Sequence, residues 1–92
     1  MITSFSHKGL AELFAKGFTK KINPELHARI LRRLEVLDQA ETLRDLHLPG
    51  FFCHPLQGEP PKRYSISVNG PWRITFEWQD GNVLRADLEQ YH

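Results

Sequence analysis

Tyr64-Ser65-Ile66-Ser67-Val68-Asn69-Gly70-Pro71-Trp72-Arg73-Ile74-Thr75-Phe76 decides the fold, because apolar and polar side chains alternate on both sides of a turn signal. Successive side chains of a strand point to opposite faces, so Tyr64, Ile66 and Val68 share a face that Trp72, Ile74 and Phe76 can join. A three-residue Asn69-Gly70-Pro71 loop sets Val68 against Trp72, Ile66 against Ile74 and Tyr64 against Phe76. A two-residue Asn-Gly turn would oppose Ile66 to Arg73 and mix apolar with charged side chains on both faces, so it is rejected. Downstream, Gln79-Asp80-Gly81 reads as a second three-residue loop, with Gly81 in the positive-φ position of a bulged turn. That choice sets Phe76 against Leu84, Ile74 against Ala86 and Trp72 against Leu88.

These registers predict an apolar face and a second face bearing Arg63, Ser65, Ser67, Arg73, Thr75, Glu77, Arg85, Asp87, Glu89 and Tyr91. The polar face is expected to be wet. A sheet covered on one side only has this pattern whether or not its other side binds a ligand, so both readings stay open at this point.

The first half of the chain is helical. Ile2 to Phe5 is a short apolar strand candidate, and Ser6 can cap a helix with Leu10, Leu13 and Phe14 at helical spacing that Gly17 stops. Asn23-Pro24 supplies an N-cap followed by proline at the first helical position. Leu26, Ile30, Leu34 and Leu37 then form a stripe ending near Ala40, and Thr42 to Leu46 adds a further turn. Helices followed by strands, with no repeat or linker, predict one α+β domain over residues 1–92, its sheet largely antiparallel and two N-terminal helices packed on one face.

Composition narrows the class. A 92-residue chain buries about 60–68% of the surface its unfolded form exposes, so every apolar face is needed. The single cysteine, Cys53, excludes an internal disulfide, and no Cys/His spacing suggests zinc. There is no run of membrane-spanning length and no signal-peptide pattern at Met1-Ile2-Thr3-Ser4-Phe5, so a soluble, cytoplasmic protein is expected. The net charge is +1 but unevenly placed: Lys8, Lys16, Lys20, Lys21, Arg29, Arg32 and Arg33 against Glu12 and Glu25 give residues 1–33 a charge of +5 and leave −4 on the remainder. Such asymmetry fits either a polyanion on one side or a basic helix surface facing water.

Few side chains offer chemistry. The planar guanidinium of Arg73 can hold a phosphate or stabilise a pentacoordinate phosphorus, and it can equally serve as a cross-strand partner for Asp87. Pro55 biases His54 toward an extended conformation where a strand meets a Gly- and Pro-rich loop, and a histidine there can trade a proton near neutral pH. Cys53 points the other way from His54 and reads as a small buried hydrophobe. Tyr91 shares the parity of Arg85, Asp87 and Glu89, whereas His92 reaches the same site only if the chain end bends. His7, His27 and His47 have no partner pattern and read as structural.

Taken in order, His54-Pro55-Leu56-Gln57-Gly58, Tyr64-Ser65-Ile66-Ser67-Val68, Trp72-Arg73-Ile74-Thr75-Phe76 and Glu89-Gln90-Tyr91-His92 resemble the HigB group of the RelE/ParE toxin superfamily. Ser4-Phe5-Ser6-His7-Lys8-Gly9-Leu10 and Leu34-Glu35-Val36-Leu37-Asp38 are similar too, so the resemblance spans the chain. It implies a RelE-like fold, with the RNA site on the sheet face away from the helices. The implied function is a type II toxin that enters the ribosomal A site and cleaves messenger RNA there without a metal or other cofactor. Its partners would be a helix-turn-helix, HigA-like antitoxin, the ribosome and its messenger, with operator DNA reached only through the antitoxin complex and no membrane involved.

Carried over by position, His54, Arg73, Tyr91 and His92 are the expected catalytic residues, and Gln57, Lys62 and Arg63 are expected to contact RNA. The expected reaction is attack of a ribose 2′-hydroxyl on the adjacent phosphate. His54 or His92 would act as base or acid, Arg73 would stabilise the phosphorane, and Tyr91 would stack on a base or bind the leaving oxygen. Two positions depart from the group's pattern: Gln57 replaces a lysine and Gln90 an acidic residue. Two other activities follow from related branches or from these departures: gyrase inhibition without cleavage, as in the ParE branch, and a catalytically weakened module that binds its antitoxin and tunes repression.

Overall fold

A computed structural model describes residues 1–90; Tyr91 and His92 lie outside the described residues. Helix α1 (Lys8–Lys16) begins at His7, whose Nδ1 accepts the Leu10 N–H, rather than at Ser6 as expected, and ends at Gly17, whose N–H returns to the Leu13 carbonyl. Asn23 caps a 3-10 turn, Pro24–Leu26, that leads directly into α2 (His27–Gln39). The turn expected after Ala40 is a second 3-10 segment, Leu43–Leu46, where the Asp45 carboxylate accepts the N–H groups of Glu41 and Thr42.

Four strands follow in an antiparallel sheet of order β1-β2-β3-β4: β1 (His54–Pro55), β2 (Arg63–Asn69), β3 (Trp72–Gln79) and β4 (Asn82–Gln90). The N-terminal segment lies parallel along the outer edge of β4, bridging Ile2 to Val83 and Phe5 to Ala86. Both helices pack on one face of the sheet. Leu10 and Leu13 of α1 and Ile30, Leu34 and Leu37 of α2 meet Ile66, Val68, Ile74, Phe76, Val83 and Ala86, all of them buried. Each large apolar side chain buried this way contributes about 1.5–3 kcal/mol.

The hairpin registers correct the expected ones. Tyr64 faces Phe76 and Ile66 faces Ile74 as read from the sequence, but Asn69, not Val68, pairs with Trp72. The loop is the two-residue Gly70-Pro71, and a bulge between Ser67 and Asn69 leaves Val68 as the extra residue. Gly70 takes φ +57 at the first loop position, where proline follows with its fixed negative φ, a combination suited to a twisted two-residue hairpin.

The β3–β4 turn is also two residues, Asp80 at φ +52 and Gly81 at φ +80, the pair of positive φ values of a type I′ turn. A second bulge, at Arg85 with φ +50, restores the parity, and the Arg85 N–H donates to Ser4 Oγ at 2.8 Å. Arg73 therefore faces Glu89, Thr75 faces Asp87, and Ile74 faces Leu88. Val83 takes the core position expected of Leu84, which is only half-buried opposite Glu77. Each two-residue turn shifts the strand parity by one and each bulge shifts it again, so along most of the sheet the two faces keep their expected membership.

Candidate active site

The sheet face away from the helices carries a connected set of polar side chains. Pro55 holds His54 extended at the start of β1, where it pairs with Ser65 of β2. Arg73, at the middle of the face, donates from Nε to the Ser65 hydroxyl and from Nη2 to the Phe52 carbonyl at 3.1 Å. His54 Nδ1 lies 2.9 Å from that same carbonyl and 3.4 Å from Arg73 Nη2. A carbonyl only accepts, so the shorter contact puts the proton on Nδ1 and leaves Nε2 of a neutral ring as the proton acceptor. Arg73 and His54 are thus brought together, and Phe52 holds both through one oxygen.

A second cluster adjoins the first. Arg63 Nη2 donates to Thr75 Oγ1 at 2.6 Å and to the Glu89 carboxylate at 2.7 Å, and the Thr75 hydroxyl donates to the same carboxylate oxygen. The Thr75 hydroxyl, followed by Arg63, holds the Glu89 carboxyl below the usual carboxylate range against the opposing effect of burial. The expectation of a wet face is corrected here. Ser65 is fully buried and Thr75 nearly so, and both spend their hydroxyls on neighbours.

Leu56, Arg63, Ser65, Arg73, Thr75, Glu89 and Gln90 line a cleft of about 190 Å³. Leu56 also borders an open groove of about 550 Å³ formed by the loop, which contains Gln57 and Lys62. Of the three expected RNA contacts, Gln57 and Lys62 lie exposed in this groove, whereas Arg63 lines the smaller cleft with its guanidinium engaged by Glu89. Arg73 faces Glu89, not Asp87, across the strands, and it donates to Ser65 of β2 and to the Phe52 carbonyl. Of the remaining expected catalytic residues, Tyr91 and His92 lie outside the described residues.

The other titratable side chains have structural tasks. Burial raises the Cys53 thiol above its ordinary range, which keeps it a thiol. His27 is buried with Nε2 2.9 Å from the Ile22 carbonyl, and His7 caps α1. Arg33, read from sequence as part of a basic surface, is instead buried: Nε donates to the Ser67 carbonyl at 2.6 Å and the guanidinium lies 4.8 Å from the centre of the Phe51 ring. Among the described residues, no group of three or more His, Cys, Asp or Glu side chains is gathered to hold a metal ion.

Two members of the site were not singled out in the sequence. Glu89 was legible as part of the polar face, and it brings a carboxylate into the cleft one position before Gln90. Phe52 had no signal, because its part is played by a main-chain oxygen.

Residues 3–92 match the sequence model of the HigB-like toxins, described as the RelE-like toxin of the type II toxin–antitoxin system HigB. The chain is 39% identical over 92 residues to the endoribonuclease HigB of Proteus vulgaris, covering 100% of both chains. It is 30% identical over 93 residues to toxin HigB-1 of Vibrio cholerae serotype O1, covering 99% of this chain and 98% of that one.

Proposed function

The chain belongs to the HigB-like family of RelE-type toxins of type II toxin–antitoxin systems, and from that premise we propose that it is an endoribonuclease that cleaves messenger RNA in the ribosomal A site. The observation that carries this reading is the Arg73–His54 pair, two groups suited to phosphate chemistry held 3.4 Å apart by the Phe52 carbonyl on the helix-free face. Translation stops when the message under the ribosome is cut. A helix-turn-helix antitoxin of the HigA type restrains the toxin in the cytoplasm, and operator DNA is bound only through their complex.

The reaction is transesterification within the RNA. The 2′-oxygen attacks the adjacent phosphorus, the P–O5′ bond breaks, and the products are a 2′,3′-cyclic phosphate and a 5′-hydroxyl. His54, with Nε2 unprotonated, accepts the 2′-hydroxyl proton or, when protonated, supplies one to the departing 5′-oxygen, and His92 takes the complementary role. The Arg73 guanidinium offers fixed donors to the equatorial phosphoryl oxygens as negative charge gathers there. Tyr91 stacks on a base or hydrogen-bonds the leaving oxygen, while Gln57, Lys62 and Arg63 border the path of the strand. Preorganisation is what this site contributes: Ser65 and Phe52 fix Arg73 before substrate arrives.

A message carrying deoxyribose at the cut site, loaded on programmed ribosomes, tests the chemistry. Cleavage of the ribose message together with survival of the deoxyribose message is expected. Cutting of both would remove the 2′-hydroxyl from the mechanism, and gyrase inhibition without any cutting would assign the chain a different target.

A further inference from the structure

Among the described residues Phe52 is the most exposed of the large apolar ones, at 71%, and it is also strained, with φ +47 in the left-handed region that bulky side chains avoid. Neither property helps the fold. An exposed ring adds little to the core, and glycine would adopt that φ at no steric cost. The residue nevertheless sits against the chemistry: its carbonyl accepts from Arg73 Nη2 at 3.1 Å and lies 2.9 Å from His54 Nδ1. The left-handed turn directs the main-chain oxygen into the site while the residue as a whole remains open to solvent. Beside it lies a shallow cleft of about 300 Å³ whose lining includes Leu48, itself 42% exposed, Pro49 and Cys53.

We infer that Phe52 is a nucleobase platform: a base of the bound RNA next to the scissile phosphate stacks on its ring, while its carbonyl holds Arg73 and His54 for that phosphate. The inference rests on the reading of the chain as an endoribonuclease. Single-stranded RNA is held largely through unstacked bases laid on aromatic side chains, and an exposed ring on the residue whose carbonyl contacts Arg73 and His54 is where such a base would fall. A base provides two apolar faces, which suits a ring flanked by aliphatic Leu48 and Pro49. Because the contact to Arg73 and His54 is made by the main chain, changing the side chain separates the platform from the positioning.

The experiment uses ribosomes programmed with a message whose A-site codon is deoxyribose throughout and carries 2-aminopurine at each position in turn, so that binding is read by fluorescence without cleavage. Wild type and Phe52→Trp are expected to quench 2-aminopurine at one position or more. Phe52→Leu, which keeps the bulk and the Cβ, and Phe52→Gly, which relieves the φ, are expected to lose that quenching and to bind on the order of tenfold more weakly. Phe52→Gly should melt no lower than wild type, which separates lost stacking from lost fold.

Absent quenching by wild type, or equal quenching by Phe52→Leu and Phe52→Gly, would overturn the inference. Unchanged quenching with a weakened antitoxin complex would overturn it too and assign the ring to a protein contact. Cleavage of a ribose message by wild type is scored separately. Ring-dependent quenching without cleavage would sink the nuclease reading and, with it, the placement of the stacked base beside a scissile phosphate.

Discussion

The Arg63 guanidinium reaches the Glu89 carboxylate at 2.7 Å across β3, and the Thr75 hydroxyl between them bonds to both. This bridge ties β2 to β4 over the strand that carries Arg73, so the middle of the polar face is clamped from both sides. An exposed ion pair contributes little on its own; here the buried Thr75 hydroxyl turns the pair into a three-member network.

The network makes stability depend on pH with a fixed sign. Glu89 has its carboxyl lowered from an ordinary value of 4.5, first by Thr75 and then by Arg63. Its contribution is therefore fully present above the unfolded value and is lost as pH falls through the lowered folded value. Urea unfolding of wild type and Glu89→Gln should show a wild-type advantage at pH 7 that shrinks below about pH 4.5. An advantage constant with pH would show that Glu89 acts through shape alone.

Arg73→Lys keeps the charge and loses the planar fork that spans Ser65 and Phe52. Messenger cleavage should fall about 10²–10³-fold in Arg73→Ala, with Arg73→Lys recovering only a small part, in single-turnover assays on programmed ribosomes. Thermal melting of both variants should stay close to wild type, since Arg73 is only half-buried.

Gln57 lies exposed in the loop groove, an uncharged side chain at the position where the resemblance implies a lysine. Gln57→Lys should tighten RNA binding and steepen its dependence on the logarithm of salt concentration by about 0.7, the increment for one further single-strand phosphate contact. An unchanged salt slope would place the strand's path elsewhere.

Arg33 supports the sheet from the helix side through the Ser67 carbonyl. Arg33→Met fills similar volume without the donor, and it should cost about 1.5–3 kcal/mol in urea unfolding, the usual worth of a hydrogen bond to a charged group. Cleavage per folded molecule should remain unchanged.

Cys53 stands next to His54 in the chain, yet its raised pKa leaves little thiolate at neutral pH. A disulfide reagent should react with it more slowly than with a free cysteine, and Cys53→Ala should cleave messenger at the wild-type rate.

Alternation along Tyr64–Val68 and Trp72–Phe76 was enough to separate the two faces, because a side chain's face depends on parity and not on its partner's identity. The partners themselves were harder to read. Arg85 at φ +50 is neither glycine nor asparagine, so nothing local announces its bulge; together with the two-residue turn, which sets Val83 in the core opposite Trp78, it moves Arg73 from Asp87 to Glu89. Asp80-Gly81 carries a two-residue turn signal, but without a bulge in β4 only a three-residue loop segregates the two faces. His54 and Arg73 were legible as candidates through residue type and position, whereas their common support, the Phe52 oxygen, is a main-chain atom that no side-chain pattern reports. Ser65 and Thr75 were correctly placed on the polar face, but burial beneath longer neighbours is a matter of packing that alternation does not encode.

The first residues, laid along β4 from Ile2 to Phe5, act as a selvedge for the sheet. They occupy the Val83 and Ala86 main-chain groups that would otherwise recruit a neighbouring polypeptide. A molecule trimmed of those residues would bare that seam and become sticky toward its own copies, and its loss of potency would then reflect clumping in place of damaged chemistry.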